Sequence, residues 1–134
     1  MASVLILSHG PLAQELLTAA STINGEVADD VAALCLDWDD EPEEAMGKTR
    51  QACEGLGGNG GVLILTDMFG GTPHNIARRL AEPGRVEVVT GVNLPMVLRL
   101  CCRSRDERSL GDLTDWITDK GKTSICRTAC EECD

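Results

Sequence analysis

The sequence predicts an α/β fold: a doubly wound, mostly parallel sheet of order 2-1-3-4, with an additional C-terminal edge strand. Short apolar runs recur at residues 4–7, 31–36 and 62–65, bounded by glycine, proline or polar residues, and Val86-Glu87-Val88-Val89-Thr90 reads as a fourth strand. Such runs mark strands covered on both faces. Between them, apolar residues return every three or four positions, the helical period. The chain has 134 residues, which is one domain's length with room for a real core. Strand–helix alternation of this kind builds βαβ units with helices on both faces of a parallel sheet.

In order, Val4-Leu5-Ile6-Leu7 is the first strand, and it runs into Ser8-His9-Gly10-Pro11. Pro11 opens a helix with a stripe of Leu12, Ala13, Leu16, Leu17, Ala20 and Ile23. The second strand, Val31-Ala32-Ala33-Leu34-Cys35-Leu36, leads into Asp37-Trp38-Asp39-Asp40-Glu41. Those acids read as the cap and first turn of a helix, where its dipole favours negative charge. The sharper alternatives are a metal site or an acidic docking loop. Ala45, Met46, Thr49, Ala52, Cys53 and Leu56 mark that helix's inner face. Gly55-Leu56-Gly57-Gly58-Asn59-Gly60 spells G-x-G-x-x-G, but it follows a helix and precedes a strand. A dinucleotide loop has the opposite context, so a flexible turn is expected.

The third strand ends in Thr66-Asp67-Met68-Phe69-Gly70-Gly71-Thr72-Pro73-His74-Asn75. Thr72 can cap the following helix, and Pro73 suits its first turn. Ile76, Ala77 and Leu80 continue that helix, and Pro83-Gly84 stops it. The fourth strand covers 86–90, Gly91-Val92-Asn93 turns, and an apolar helix runs from Leu94 to Cys102. Ser109 caps a last helix carrying Leu110, Leu113, Trp116 and Ile117, and residues 123–126 are the expected edge strand.

Composition narrows the function. The formal charge is −10, which argues against nucleic acid and anionic membranes as partners. No run is long enough for a signal segment or a span, so the protein reads as cytoplasmic, without direct membrane insertion. Only Trp38, Phe69 and Trp116 are aromatic, so the core is aliphatic. Cys35, Cys53, Cys101 and Cys102, four of seven cysteines, fit small buried hydrophobes.

The predicted strand order makes strands 1 and 3 neighbours. His9 and Asp67 then project from adjacent strand ends into one crevice, where open α/β sheets bind ligands. A carboxylate on one imidazole nitrogen fixes the tautomer and frees the other nitrogen's lone pair. Backbone N–H groups of Gly10, Gly70, Gly71 and Thr72 offer an anion cradle. A nucleophilic imidazole beside such a cradle suits phosphoryl transfer through a phosphohistidine.

Ser8-His9-Gly10, Asp67-Met68-Phe69-Gly70-Gly71-Thr72-Pro73-His74-Asn75 and Gly91-Val92-Asn93-Leu94-Pro95-Met96 resemble the mannose-class enzyme IIA domain of the bacterial phosphoenolpyruvate sugar phosphotransferase system. The likeness covers roughly residues 3–125. It implies that phospho-HPr phosphorylates His9, that Asp67 is its partner aspartate, and that a IIB component accepts the group. Nδ1–H of His9 is expected to face Asp67, which orients the ring, and Nε2 to carry the phosphoryl group. Gly10, Phe69, Gly70, Gly71 and Thr72 are the expected phosphoryl-binding residues. The likeness also implies a homodimer that exchanges the last strand; no metal or other cofactor is called for.

Two features depart from the pattern. His74 stands where the family varies, and an exposed helix-start position is expected for it. Residues 126–134 form a Cys-rich tail outside the 1–125 domain, with Cys126, Cys130 and Cys133 at a spacing that echoes radical iron–sulfur enzymes. Such enzymes need a large barrel that this chain lacks. A phosphorylation-dependent regulatory module and a phosphoryl donor to a dihydroxyacetone kinase stay open. A response-regulator receiver shares the sheet order but needs acids where Ser8-His9 stand.

Overall fold

A computed structural model describes residues 1–26, 28–57, 59–102 and 108–129. The strands are β1 (Ser3–His9), β2 (Val31–Leu36), β3 (Val62–Thr66) and β4 (Val86–Thr90). The helices are α1 (Leu12–Asn24), α2 (Pro42–Leu56), α3 (Thr72–Leu80), α4 (Leu94–Cys102) and α5 (Leu110–Thr123). All four strands are parallel, in the order β2-β1-β3-β4. In register, Leu7 lies beside both Leu34 and Thr66, which levels the C-terminal ends of the three strands that carry the site.

Strand alternation splits the core in two. Val4, Ile6, Leu63 and Leu65 meet Ala13, Leu17, Val97, Leu100, Leu113 and Ile117 on the side of α1, α4 and α5. Leu5, Leu7 and Ile64 meet Ala45, Met46, Ile76 and Ala77 on the side of α2 and α3. Leu5, Ile6, Leu7, Leu63, Ile64 and Leu65 are fully buried, so truncating one to alanine costs about 2–5 kcal/mol. Thr66 Oγ1 is also fully buried and has no hydrogen-bond partner among the described residues.

Several local expectations are corrected. The helix after β3 is capped by Gly71, not Thr72, because Gly71 has extended backbone and Thr72 is already helical. Pro11 occupies the cap position of α1, and Ser8 Oγ, from inside β1, accepts the Ala13 N–H at 2.7 Å. Leu12 and Ile23 of the predicted stripe are exposed; the stripe that seals the core is Ala13, Leu17 and Ala20. Residues 123–126 form no strand. Ser124 N–H donates to the Lys120 carbonyl and Ser124 Oγ to the Gly121 carbonyl, so the chain goes on winding where the strand was expected.

Of the glycines before β3, Gly55 and Gly57 stand in open space, whereas Gly60 and Gly61 are closely packed: a Cβ on Gly60 would run into the Met1 carbonyl carbon, and one on Gly61 would lie 2.8 Å from the Arg85 oxygen. Burial raises the thiol pKa of Cys53, as fits a small apolar filler, whereas Cys102 is exposed and its Sγ donates to Asn24 Oδ1. Cys126 is disulfide-bonded. Cys130 and Cys133 lie outside the described residues.

Candidate functional site at the strand ends

The site sits where β1, β2 and β3 end. The Gly10 N–H donates to the Leu36 carbonyl, tying the end of β1 to the end of β2. Gly10 has φ of 53°, the left-handed region that glycine enters without strain, and this turns the chain from strand to helix. His9 therefore stays at the rim, half-buried, while Ser8 before it is fully buried.

Asp67 meets His9 across the sheet. Its Oδ2 accepts the His9 backbone N–H at 3.0 Å and lies 2.7 Å from His9 Nδ1. Its Oδ1 accepts the Met68 N–H at 2.9 Å. Burial opposes the charge on Asp67, but the hydrogen bonds from the His9 backbone and ring, the ring's charge and the Met68 N–H together hold its carboxyl below the usual carboxylate range. An ionised carboxylate only accepts, so Nδ1 carries a proton, and in the neutral ring Nε2 is then the nitrogen with the lone pair. The strand order placed these two residues side by side, and the structure does the same.

Gly71 flanks the free edge of the imidazole. A Cβ there would lie 2.6 Å from His9 Cε1 and 3.2 Å from Nε2, so a hydrogen at this position is what leaves room for the ring. Gly71 also caps α3, whose N-terminus supplies partial positive charge beside Nε2.

The expected cradle is narrower than the sequence suggested. The Gly10 amide is spent on Leu36, and the Gly70 amide on His74 Nδ1 at 3.0 Å. The Gly71 and Thr72 amides enter no such bond among the described residues, and they head the helix. The Phe69 ring packs against His74, with centroids 4.5 Å apart and planes tilted by 34°, and it is 75% exposed. His74 is not exposed as expected: it is 7% exposed on the inner side of α3, three residues before the buried Ala77. Accepting from Gly70 requires its Nδ1 to be unprotonated. With Asn75 Nδ2 on the Gly70 carbonyl at 3.3 Å, it holds the turn from both ends.

Trp38 is the neighbour that sequence reading missed. Its ring stacks on His9 with centroids 4.9 Å apart and planes 17° apart. Among the surrounding acids, Asp37 and Asp40 build a turn ahead of the helix. Asp40 Oδ2 accepts the Asp37 N–H at 3.1 Å, and Lys48 Nζ reaches Asp40 Oδ1 and Oδ2 at 3.0 Å each. The bond to Lys48 holds the Asp40 carboxyl below its ordinary range, and the same bond holds the ammonium above its own. Glu41 takes the cap position of α2 with no side-chain bond.

Around the site, Trp38, Met68, Phe69 and Leu12 are exposed apolar side chains. Among the described residues no helix is long and apolar enough to cross a membrane.

Known proteins resemble this chain in sequence and in fold. Residues 3–118 match the EIIA-man family, described as PTS system fructose IIA component. The PTS system fructose-specific EIIA component of Bacillus subtilis is 33% identical over 114 residues, covering 84% of this chain and 77% of that protein. The PTS system mannose-specific EIIAB component of Escherichia coli K12 is 28% identical over 124 residues; the match covers 92% of this chain but only 38% of that protein's length. Among solved structures, the PTS IIA protein associated with the fucose utilization operon of Streptococcus pneumoniae superposes with a TM-score of 0.83 at 27% identity, covering 96% of this chain and 93% of that one. The mannose/sorbose specific IIA subunit from Enterococcus faecalis gives 0.81 at 26% identity, covering 94% and 93%. With a family match over residues 3–118 and a shared four-stranded parallel sheet, the chain belongs to the EIIA-man family of phosphotransferase-system IIA components.

Proposed function

We propose that this chain is a phosphoryl carrier that takes phosphate from phospho-HPr on Nε2 of His9 and passes it to a IIB component during sugar uptake. The observation that carries this reading is Asp67 Oδ2, which engages both the backbone N–H and Nδ1 of His9. That double contact fixes the ring, fixes its tautomer and leaves Nε2 as the nucleophile.

In the step itself, the lone pair of Nε2 forms the new P–N bond as the donor's P–N bond breaks. The departing pair stays on the donor imidazole. His9 keeps its Nδ1 proton, the ring becomes cationic, and Asp67 offsets that charge. The Gly71 and Thr72 amides at the head of α3 receive the phosphoryl oxygens. The exposed apolar rim around His9 supports docking of the protein partners over it. The open edge of β4 and the 82% exposed Ile125 beyond α5 support a homodimer in which the C-terminal segment crosses over.

Intact mass after incubation with phosphoenolpyruvate, enzyme I and HPr tests the relay. The expected result is one acid-labile phosphoryl group on the wild type and none on His9→Ala. Label retained by His9→Ala would overturn the assignment. Label on His9 that no IIB component removes would assign the regulatory role instead. Light scattering that finds a monomer would overturn the homodimer.

A further inference from the structure

We infer that Trp38 is a positioning residue of the His9 site: its indole clamps the imidazole and prolongs the life of the phosphorylated ring. The inference rests on reading His9 as the phosphoryl acceptor.

Trp38 is 76% exposed, yet it lies flat on the one imidazole at the strand ends. An exposed indole gains little from burial, so something must hold it there. One support is the turn beneath it, closed by the Asp40 N–H to the Asp37 carbonyl at 3.1 Å and by Asp40 Oδ2 on the Asp37 N–H. Lys48 braces that turn through Asp40 at 3.0 Å and Asp37 at 3.8 Å. The other support is Gly10. A Cβ there would stand 3.3 Å from the indole Nε1, so the glycine that turns the chain also makes room for the stack.

Three groups thereby confine the ring from three directions: Asp67 at Nδ1, Gly71 along the Cε1–Nε2 edge and Trp38 on a face. Phosphorylation at Nε2 with Nδ1 still protonated makes the ring cationic. A cation over an indole face at this separation is attracted to it. The indole also covers one side of the ring from water. Hydrolysis of the phosphohistidine requires water to attack phosphorus as the P–Nε2 bond breaks, its pair returning to Nε2 and inorganic phosphate leaving. Both effects of the stack oppose that step.

The test uses phosphoramidate, a small donor whose P–N bond breaks as ammonia leaves, so labelling needs no partner protein. Wild type, Trp38→Phe and Trp38→Leu are labelled, freed of donor, and followed by intact mass at neutral pH. The expected result is a half-life about 5- to 20-fold shorter in Trp38→Leu, with most of it restored in Trp38→Phe. In parallel, the His9 ring protons are expected upfield from the indole ring current in the wild type and shifted downfield in Trp38→Leu. Equal half-lives for the wild type and Trp38→Leu would overturn the inference. So would a Trp38→Phe half-life as short as that of Trp38→Leu, or unchanged ring-proton shifts. A wild type that phosphoramidate labels but phospho-HPr does not would sink the relay and leave this comparison intact.

Discussion

Gly71→Ala isolates the contribution of ring placement from that of the fold. The backbone at Gly71 has φ −77° and ψ 171°, a conformation alanine adopts freely, so the substitution carries no backbone strain. Its added methyl carbon would stand 2.6 Å from His9 Cε1, and ordinary contact begins at 3.4 Å, so ring or loop must shift by about 0.8 Å. Misplacement on this scale costs up to about 100-fold in rate. Alanine is also a poorer helix cap than glycine, by about 1 kcal/mol, which is a few degrees in Tm for a domain of this size. Phosphorylation by phospho-HPr is therefore expected to fall about 10- to 100-fold, with the fold retained. Gly70→Ala is the control. Its Cβ meets nothing within 4 Å, but φ of 85° costs an alanine about 1–2 kcal/mol. It is expected to lose as much stability or more, and far less activity. A Gly71→Ala protein that accepts phosphate at the wild-type rate would refute the placement argument.

Other expectations follow from single contacts. Asp67→Asn exchanges a charge-assisted acceptor for a neutral one, so transfer should slow about 10- to 100-fold in a quench-flow assay. The folded pKa of Asp67 lies below its unfolded value. Its stabilisation is therefore complete above the unfolded value of about 3.9 and disappears as pH falls through the folded one. Urea titrations should show wild type losing more stability than Asp67→Asn as the buffer is acidified below about pH 4. Thr66→Val removes a buried, unpartnered hydroxyl at nearly constant volume and should raise Tm or leave it unchanged; a marked drop would mean the hydroxyl is satisfied. Gly60→Ala drives a methyl into the Met1–Ala2 backbone and should lower stability by about 1–3 kcal/mol by chemical denaturation.

β1, β2 and β3 were legible as unbroken apolar runs, β4 as a β-branched stretch despite Glu87, and crossover rules leave few arrangements for their order. The pairing of His9 with Asp67 followed from that order. The Trp38 stack did not, since it joins loops after β1 and β2 whose conformation depends on an acid–lysine turn. Helix periodicity could have revealed the burial of His74, because it precedes Ala77 by three residues and so shares its face. The diversion of the Gly10 and Gly70 amides was hidden in hydrogen bonds to a neighbouring strand end and to a side chain. The last strand failed because hydroxyls at Thr123 and Ser124 bond back to helix carbonyls, a competition that strand-forming composition does not show.

The His9–Asp67 contact spans 58 positions of chain and closes only after β1 has paired with β3, with α1, β2 and α2 lying between them in sequence. Long-range parallel pairing of this kind forms late and slowly. The crevice is therefore absent from any half-folded chain, and a nascent chain has no site until its third strand has emerged. Competence to bind phosphate becomes a report on completed folding. A screen for lost transfer should return core substitutions in Leu5, Ile6, Leu63 and Ile64 alongside those at the rim, and growth at lower temperature should rescue only the former.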